Sequence, residues 1–262
     1  MLLLLPPSEG KSAPTRGKPL DLGSLSFPVL TPGREEVLDA LVGLCSADAG
    51  ADAAAAAAVL GLGPTQTELV ARNAGLRTAP TARAEQIYTG VVYDALDAAS
   101  LDAAARRRLR RVAVTSSVFG LVRLADRIPS YRLSGDTTLP GLGPVAAHWR
   151  RHLGEAVAEG VGSGVLVDLR SGTYAAFWRP EGDVARRTVT VRVLHEHQGA
   201  RKVVSHFNKA TKGRIVRAVL TDGGTPRTPQ AFAAQLRDLG WYVEEGAPTP
   251  RGTQLDVVVA EL

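Results

Sequence analysis

The residues best suited to chemistry in this sequence are the cations of one stretch near its C-terminal quarter, Arg201–Leu220. We predict a short strand over Arg201–Ser205 and a helix over His206–Val219. At about 100° per residue, Phe207, Thr211, Ile215, Ala218 and Val219 share one helix face and Lys209, Lys212 and Arg217 lie opposite. The stretch contains no acid, and its cations are Arg201, Lys202, Lys209, Lys212, Arg214 and Arg217. These cations either bind an anion or form a solvated basic face.

A second cation follows the first predicted strand. Leu2–Leu5 is a continuous apolar run, as expected for a strand buried on both faces, and Lys11 stands in the loop after it. Gly10, Lys11 and Ser12 resemble the end of a P-loop. That motif requires a glycine where this chain has Leu5, which argues against a Walker-type nucleotide site. Lys11 can still meet an anion at the end of the strand.

Cations occur in several other segments, and the ends of parallel strands usually meet at one edge of an open α/β sheet. We therefore expect a single basic cleft that concentrates the field on an anion. The aromatic residues Tyr88, Tyr131, Trp149 and Tyr174 are candidates for stacking on bases. Candidate catalytic residues are Lys11, Tyr88, Tyr131 and Lys209. The predicted nucleic-acid- or anion-binding residues are Lys11, Arg123, Arg132, Arg150, Arg151, Lys209, Lys212 and Arg217.

Two glycine-containing turns precede predicted helices and add to the interpretation of phosphate binding. They are Leu60-Gly-Leu-Gly-Pro and Leu139-Pro-Gly-Leu-Gly-Pro, and the helix after the second carries Arg150 and Arg151. Such turns resemble the hairpin of helix-hairpin-helix modules, in which backbone amides approach a phosphate. The alternative is ordinary loop chemistry, with proline near the first helical position.

Histidine, cysteine and serine give weaker indications. His148 and His152 are four residues apart on a predicted helix, and His195 and His197 share a strand face, so a site for iron or another metal is conceivable from these two pairs. Neither pair has a zincin-type glutamate, and we predict no metal and no cofactor. Ser116 and Ser117 lack a Gly-x-Ser-x-Gly elbow. The single cysteine, Cys45, is interpreted as a core residue.

The elements that position these residues alternate between strand and helix from end to end of the 262 residues, without a long linker. This pattern predicts one mixed α/β domain over residues 1–262, with a central mixed sheet and surrounding helices. The formal net charge is +5, which suits an anionic partner. One cysteine excludes an internal disulfide, and no window is apolar enough to span a membrane. We expect a cytoplasmic protein.

Several short motifs, in order along nearly the whole chain, resemble the YaaA family of bacterial peroxide-stress proteins. They are Leu2-Leu-Leu-Leu-Pro-Pro-Ser-Glu-Gly-Lys-Ser, Tyr88-Thr-Gly, Ser117-Val-Phe-Gly-Leu-Val-Arg-Leu-Ala-Asp, Pro129-Ser-Tyr-Arg-Leu, Val167-Asp-Leu-Arg-Ser-Gly-Thr-Tyr, Ser205-His-Phe-Asn-Lys-Ala-Thr-Lys-Gly and Gly240-Trp-Tyr.

The resemblance implies a cytoplasmic protein that limits free intracellular iron during peroxide stress. It also implies a basic cleft with a helix-hairpin-helix-like element, associated with DNA binding. By motif, the residues of that cleft would be Lys11, Tyr88, Arg123, Tyr131, Arg132, Lys209 and Lys212. Lys212 stands where the family usually has arginine, which replaces a bidentate phosphate contact by a point charge.

Two hypotheses follow from the sequence. The first is a stress protein that binds duplex DNA in the cleft, mainly through phosphates. The second is an enzyme that acts on a small anionic, nucleotide- or purine-like molecule in the same cleft. A long open groove favours the first hypothesis, and a pocket too small for a duplex favours the second.

Overall fold

The computed structural model describes residues 1–46, 52–197 and 200–260. Within them, one sheet of eight strands runs in the order β11-β12-β9-β8-β1-β3-β4, with β10 paired to β9. These strands are β1 (Leu2–Leu5), β3 (Val112–Ser116), β4 (Gly120–Arg123), β8 (Leu166–Asp168), β9 (Thr188–His197), β10 (Ala200–Lys202), β11 (Tyr242–Glu245) and β12 (Thr253–Ala260). The sheet is mixed, since β3–β1–β8–β9–β12 are parallel neighbours and β4, β10 and β11 pair antiparallel. The prediction of a mixed α/β fold with a central mixed sheet is confirmed.

Two short antiparallel pairings lie outside the main sheet. They join β2 (Ala82–Arg83) to β5 (Arg127–Ile128) and β6 (Thr138–Leu139) to β7 (Gly143–Pro144). The helices of the described chain are α1 (Thr31–Cys45), α2 (Ala53–Val59), α3 (Glu68–Ala74), α4 (Ala84–Ile87), α5 (Val91–Leu96), α6 (Ala103–Arg108), α7 (Val145–Val161), α8 (Gly172–Ala175), α9 (Gly182–Arg186), α10 (Ser205–Asp222) and α11 (Pro229–Asp238).

The hydrophobic core follows the apolar strands. All four leucines of β1 are fully buried, as a strand between two parallel neighbours and under helices requires. Val189, Val191 and Val193 of β9 are also buried, whereas His197 at the end of that strand is exposed. The predicted alternation therefore holds along the first part of β9.

Helix α10 contains Lys209, Lys212 and Arg217, three of the residues that the sequence predicts to bind an anion. Its packing face contains Thr211, Ile215 and Val219, which are buried, although Phe207 at its start is 39% exposed. A Cβ at Gly213 would lie 2.3 Å from the carbonyl oxygen of Val92. Glycine is needed inside this helix because α5 crosses it at close range.

Candidate functional site

The parallel strands β1, β3 and β8 end at one edge of the sheet, and a cavity of about 370 Å³ opens beside the loops that follow β1 and β8. We call it the strand-end cavity. Its apolar lining includes Pro6, Pro7, Val91, Val92, Tyr93 and Tyr174, and its polar lining includes Ser8, Glu9, Thr89, Ser134, Ser171, Thr173 and Lys209. This is the position at which open α/β sheets bind ligands.

Lys11 lies directly after the loop that lines this cavity. Its backbone pairs with that of Tyr88, and its Nζ donates a hydrogen bond of 2.7 Å to the carbonyl oxygen of Ser8. The same Nζ lies 4.2 Å from the ring centroid of Tyr131. The pKa of Lys11 is lowered to about 7, mainly because the amine is buried; Glu9 opposes this shift, and the positive charge of Arg132 adds to it. The amine therefore exchanges its proton near neutral pH.

Tyr88 and Tyr131 form the centre of a buried hydrogen-bond chain. Their hydroxyl oxygens are 3.0 Å apart, and the Tyr131 hydroxyl lies 2.9 Å from Oγ of Ser116. Ser116 Oγ in turn accepts a hydrogen bond from the backbone N–H of Phe119. Burial raises the pKa values of both tyrosines, so both stay protonated at neutral pH. They can donate hydrogen bonds, and they do not act as phenolate bases.

The other predicted cations near the cavity differ in whether their charged groups already contact an acceptor within the protein. Lys209 is exposed and lines the cavity. Arg132 is paired with Glu9, and Lys212 donates to the carbonyl oxygens of Leu169 and Arg170. Burial lowers the pKa of Lys212. Arg217 donates to the carbonyl oxygens of Leu96 and Asp97 at the end of α5.

An ion pair that the sequence did not reveal lies under the cavity. Arg170 donates to both carboxylate oxygens of Asp168, at 2.8 and 2.6 Å, and also to the carbonyl oxygens of Tyr174 and Trp178. Both charged residues are buried. The pair fixes the chain after β8, and with it Tyr174. In the sequence, the spacing Asp168-Leu169-Arg170 at the end of a buried strand could have indicated this ion pair.

Arg150, Arg151 and Arg123 line other surfaces. Arg150 and Arg151 belong to α7 and border a pocket of about 630 Å³ with Trp178 and Glu155. Arg123 lies over the ring of Phe27 and borders a second surface. That second surface, called the arginine surface below, is formed by Arg83, Arg106, Arg107, Arg110 and Arg123. A single cleft that contains all eight predicted cations stays a prediction.

The four aromatic residues expected to stack on bases are all buried. Tyr88 and Tyr131 are each 2% exposed, Trp149 is 0% exposed and Tyr174 is 5% exposed. The indole N–H of Trp149 donates to the carbonyl oxygen of Ser117, at 2.7 Å. In this conformation Tyr88, Tyr131 and Trp149 expose almost no surface on which a base could stack, whereas Tyr174 lines the strand-end cavity, where stacking stays a prediction.

The two glycine-containing turns have different surroundings. The first lies between α2 and α3, with a 3-10 turn at Pro64–Gln66. The second connects β6 to β7 and is preceded by a strand, because Thr138 and Leu139 pair with Pro144 and Gly143. The second turn is thus a β-hairpin before α7, and a helix-hairpin-helix at the first turn stays a prediction.

The histidine pairs lie on different elements. His148 and His152 of α7 approach each other, with ring centroids 4.7 Å apart, and lie close to Glu36 of α1. His195 of β9 packs instead against the ring of Phe207. Glu36 was missed because only the contact between α1 and α7 brings it near the histidines.

Comparison with known proteins shows the family. A family model described as "Peroxide stress protein YaaA" matches residues 1–245, and this chain belongs to that family. A UPF0246 protein of Streptomyces coelicolor is 55% identical over 265 residues, covering 100% of both chains. A UPF0246 protein of Corynebacterium efficiens is 42% identical over 248 residues, covering 93% of this chain and 95% of that protein. Membership supports a role related to peroxide stress. None of the helices in the described residues combines the length and apolar character needed to cross a membrane.

Proposed function

We propose that this chain binds a small anionic, nucleotide- or purine-like molecule in the strand-end cavity, as part of a cytoplasmic role in peroxide stress. The observation that carries the proposal is the cavity itself, about 370 Å³ at the carboxyl ends of parallel strands. Cavities of about 300–1,000 Å³ are typical for small ligands. This volume is too small for a DNA duplex.

The lining of the cavity suits a flat ring joined to an anionic group. Pro6, Pro7 and Val92 offer apolar surface to a ring, and hydroxyl groups of Ser134 and Thr173 offer hydrogen bonds. Lys209 supplies an exposed positive charge at the same cavity. Apolar walls with a few placed polar groups are typical of binding sites for small molecules.

Catalysis on the bound molecule is the second part of this proposal. The pKa of about 7 makes the Lys11 amine available in its neutral form at physiological pH, in which it can accept a proton or act as a nucleophile. Tyr88 and Tyr131 retain their protons, and the ring of Tyr131 lies beside the Lys11 amine, with its centroid 4.2 Å from Nζ. Lys11 is therefore the residue that we assign as base, and Lys209 as the anion contact.

Thermal-shift measurements with nucleotides, nucleobases and inorganic phosphate test binding. A ligand that occupies the cavity should raise the melting temperature of the parent chain. The shift should decrease for Lys209→Ala and persist for Lys18→Ala, an equally exposed lysine that does not line the cavity. A shift of equal size in both variants would contradict the assignment of Lys209, and no shift with any compound would contradict binding.

We infer a second candidate function, duplex DNA binding through phosphates, from the arginine surface. Arg83, Arg107 and Arg110 are exposed there, and Glu85 pairs with Arg83 and Arg106. Clustered arginines are suited to phosphate contacts. The motif resemblance to the YaaA family implies DNA binding as well, which supports this second candidate function.

Fluorescence anisotropy with a labelled duplex at two salt concentrations tests this second candidate. Loss of two phosphate contacts in Arg107→Ala/Arg110→Ala should weaken binding and reduce the slope of log K against log salt by about 2. Lys209→Ala serves as the matched control, because it removes a cation at the strand-end cavity. Binding that depends on Lys209 and not on the arginines would place DNA at the cavity edge instead.

Limitation of free intracellular iron is the cellular outcome that we propose from family membership. The match over residues 1–245 supports a role related to peroxide stress, and limitation of iron is what the motif resemblance adds to that role. Cells that lack the chain should show more free iron by electron paramagnetic resonance after peroxide than cells that contain it. Equal iron in both would contradict this outcome and leave the binding proposals to their own tests.

A further inference from the structure

Helices α1 and α7 bring three side chains with metal-binding atoms together. Glu36 of α1 and His148 and His152 of α7 each place one ligand atom within 4.8 Å of the other two. None of the three lines the strand-end cavity. The cluster therefore requires an explanation of its own.

The tautomer of His148 is fixed by its surroundings. The side chain is 1% exposed, and its Nε2 lies 3.0 Å from the carbonyl oxygen of Gly33. A carbonyl oxygen only accepts, so Nε2 must carry the hydrogen, and Nδ1 of the neutral ring keeps a free lone pair. Metal-binding histidines are held in this way, with one nitrogen donating to a carbonyl and the other facing the ion.

The free Nδ1 of His148 faces a carboxylate. Oε2 of Glu36 lies 3.6 Å from it. Because Nε2 of the neutral ring carries the hydrogen that faces the Gly33 carbonyl oxygen, Nδ1 and the Glu36 carboxylate oxygen are both hydrogen-bond acceptors. Two acceptors at this distance gain nothing from each other directly, and a cation between them would satisfy both.

Other charged groups near the cluster are Arg151 and Glu155. Nη2 of Arg151 lies 3.5 Å from Nδ1 of His148, at the outer limit of a hydrogen bond. Arg151 is exposed and its side chain can move away. The open pocket that His152 borders is also lined by Glu155 and Glu181 and by Arg150, Arg151 and Arg179, so its charges are of both signs.

The backbone of α1 leaves room for both rings. A Cβ at Gly33 would lie 3.2 Å from two ring carbons of His152 and 3.3 Å from Nε2 of His148. An alanine Cβ at this position would make tight contacts with both imidazoles, which would have to shift by a few tenths of an ångström. Spacing of four residues puts His148 and His152 on one face of α7, one turn apart.

We propose that Glu36, His148 and His152 form a binding site for a divalent first-row transition metal. Two imidazole nitrogens and one carboxylate oxygen are the ligand set of zinc and related ions with open coordination positions. The open positions would face the pocket that His152 borders, where water can enter. Closure to metal–ligand bonds of about 2.0–2.2 Å requires mainly a movement of Glu36, which is half exposed.

Titration of the untagged chain with Co²⁺, followed by visible absorption, tests the site. The parent chain should show saturable ligand-field bands that Zn²⁺ displaces. Glu36→Gln and His152→Gln should each weaken Co²⁺ binding by at least about 10-fold, since loss of even an outer-shell partner costs 10- to 100-fold. Both positions are accessible enough for these variants to fold, and circular dichroism checks this.

His197→Gln is the matched control, because it removes an exposed histidine outside the cluster. It should bind Co²⁺ as the parent does. Zn²⁺ should also raise the melting temperature of the parent and of His197→Gln, and not that of Glu36→Gln. The proposal is overturned if the parent shows no saturable bands, or if Glu36→Gln and His152→Gln bind Co²⁺ with the affinity of the parent.

Discussion

Replacement of Gly213 by alanine tests the packing that holds helix α10 beside the strand-end cavity. The new Cβ would lie 2.3 Å from the carbonyl oxygen of Val92 and 2.8 Å from Cβ of Ala95. Alanine gains about 1 kcal/mol of helix propensity over glycine. Overpacking of a tight contact costs about 1–3 kcal/mol, and the partner here is backbone, which no rotamer change relieves. We expect a net loss of up to about 2 kcal/mol in unfolding free energy.

Gly154→Ala is the matched control for this prediction. Gly154 lies inside α7, where a Cβ would make an ordinary contact of 3.7 Å with Nε1 of Trp178. Only the propensity gain applies, so this variant should be more stable than the parent by about 0.5–1 kcal/mol. Urea denaturation, with the midpoint and slope compared among the three chains, measures both effects. A Gly213→Ala chain that gains stability as Gly154→Ala does would refute the close approach of α5 to α10.

Three further changes test the candidate site. Arg170→Met leaves the buried carboxylate of Asp168 unpaired and should cost about 3–5 kcal/mol in unfolding free energy; a loss below about 1 kcal/mol would contradict the buried pair. Tyr131→Phe removes the hydroxyl that faces Tyr88 and should cost about 1–3 kcal/mol in the same assay, whereas an unchanged midpoint would argue against the hydrogen-bond chain. The unfolded chain holds the proton of Lys11 up to about pH 10.4, whereas the folded chain releases it near pH 7. Unfolding free energy should therefore rise with pH across that window, and Lys11→Met should remove part of the rise; identical pH profiles would count against the lowered pKa.

The strands and the main helices could be predicted from the sequence because their patterns are local. Four consecutive leucines at Leu2–Leu5 indicate a strand buried on both faces, and the structure places that strand between two parallel neighbours. Gly213 lies inside the predicted helix His206–Val219, and the close approach of α5 explains why glycine is needed there. The motifs spread along the chain were sufficient for the family, which the match over residues 1–245 confirms.

The candidate site was harder to predict because the partners of its charges are distant in sequence. Lys212 and Arg217 looked unpartnered on the helical wheel, yet each donates to backbone carbonyl oxygens of another segment. Every residue has a backbone carbonyl oxygen, so the residue types do not show which of these oxygens a distant lysine or arginine contacts. Likewise, the sequence gives no indication that Arg132 pairs with Glu9, 123 positions away, or that Glu36 approaches two histidines.

Aromatic residues illustrate a second limit of sequence reasoning. Tyr88 precedes Thr89-Gly90 and Tyr131 precedes Arg132, and such polar surroundings suit a binding surface. In the fold, their hydroxyl groups bond to each other and to Ser116, so burial carries little cost. Tyrosine is found both in cores and at binding surfaces, and residue type alone does not separate the two.

The most direct test of the central proposal measures whether a small anionic ligand covers Lys209. Mass spectrometry after brief reductive methylation, with and without the nucleotide that gives the largest thermal shift, reports the reactivity of each lysine. We predict that the nucleotide protects Lys209, at the strand-end cavity, and leaves the equally exposed Lys18 reactive. Equal modification of Lys209 with and without the nucleotide would contradict binding in the cavity.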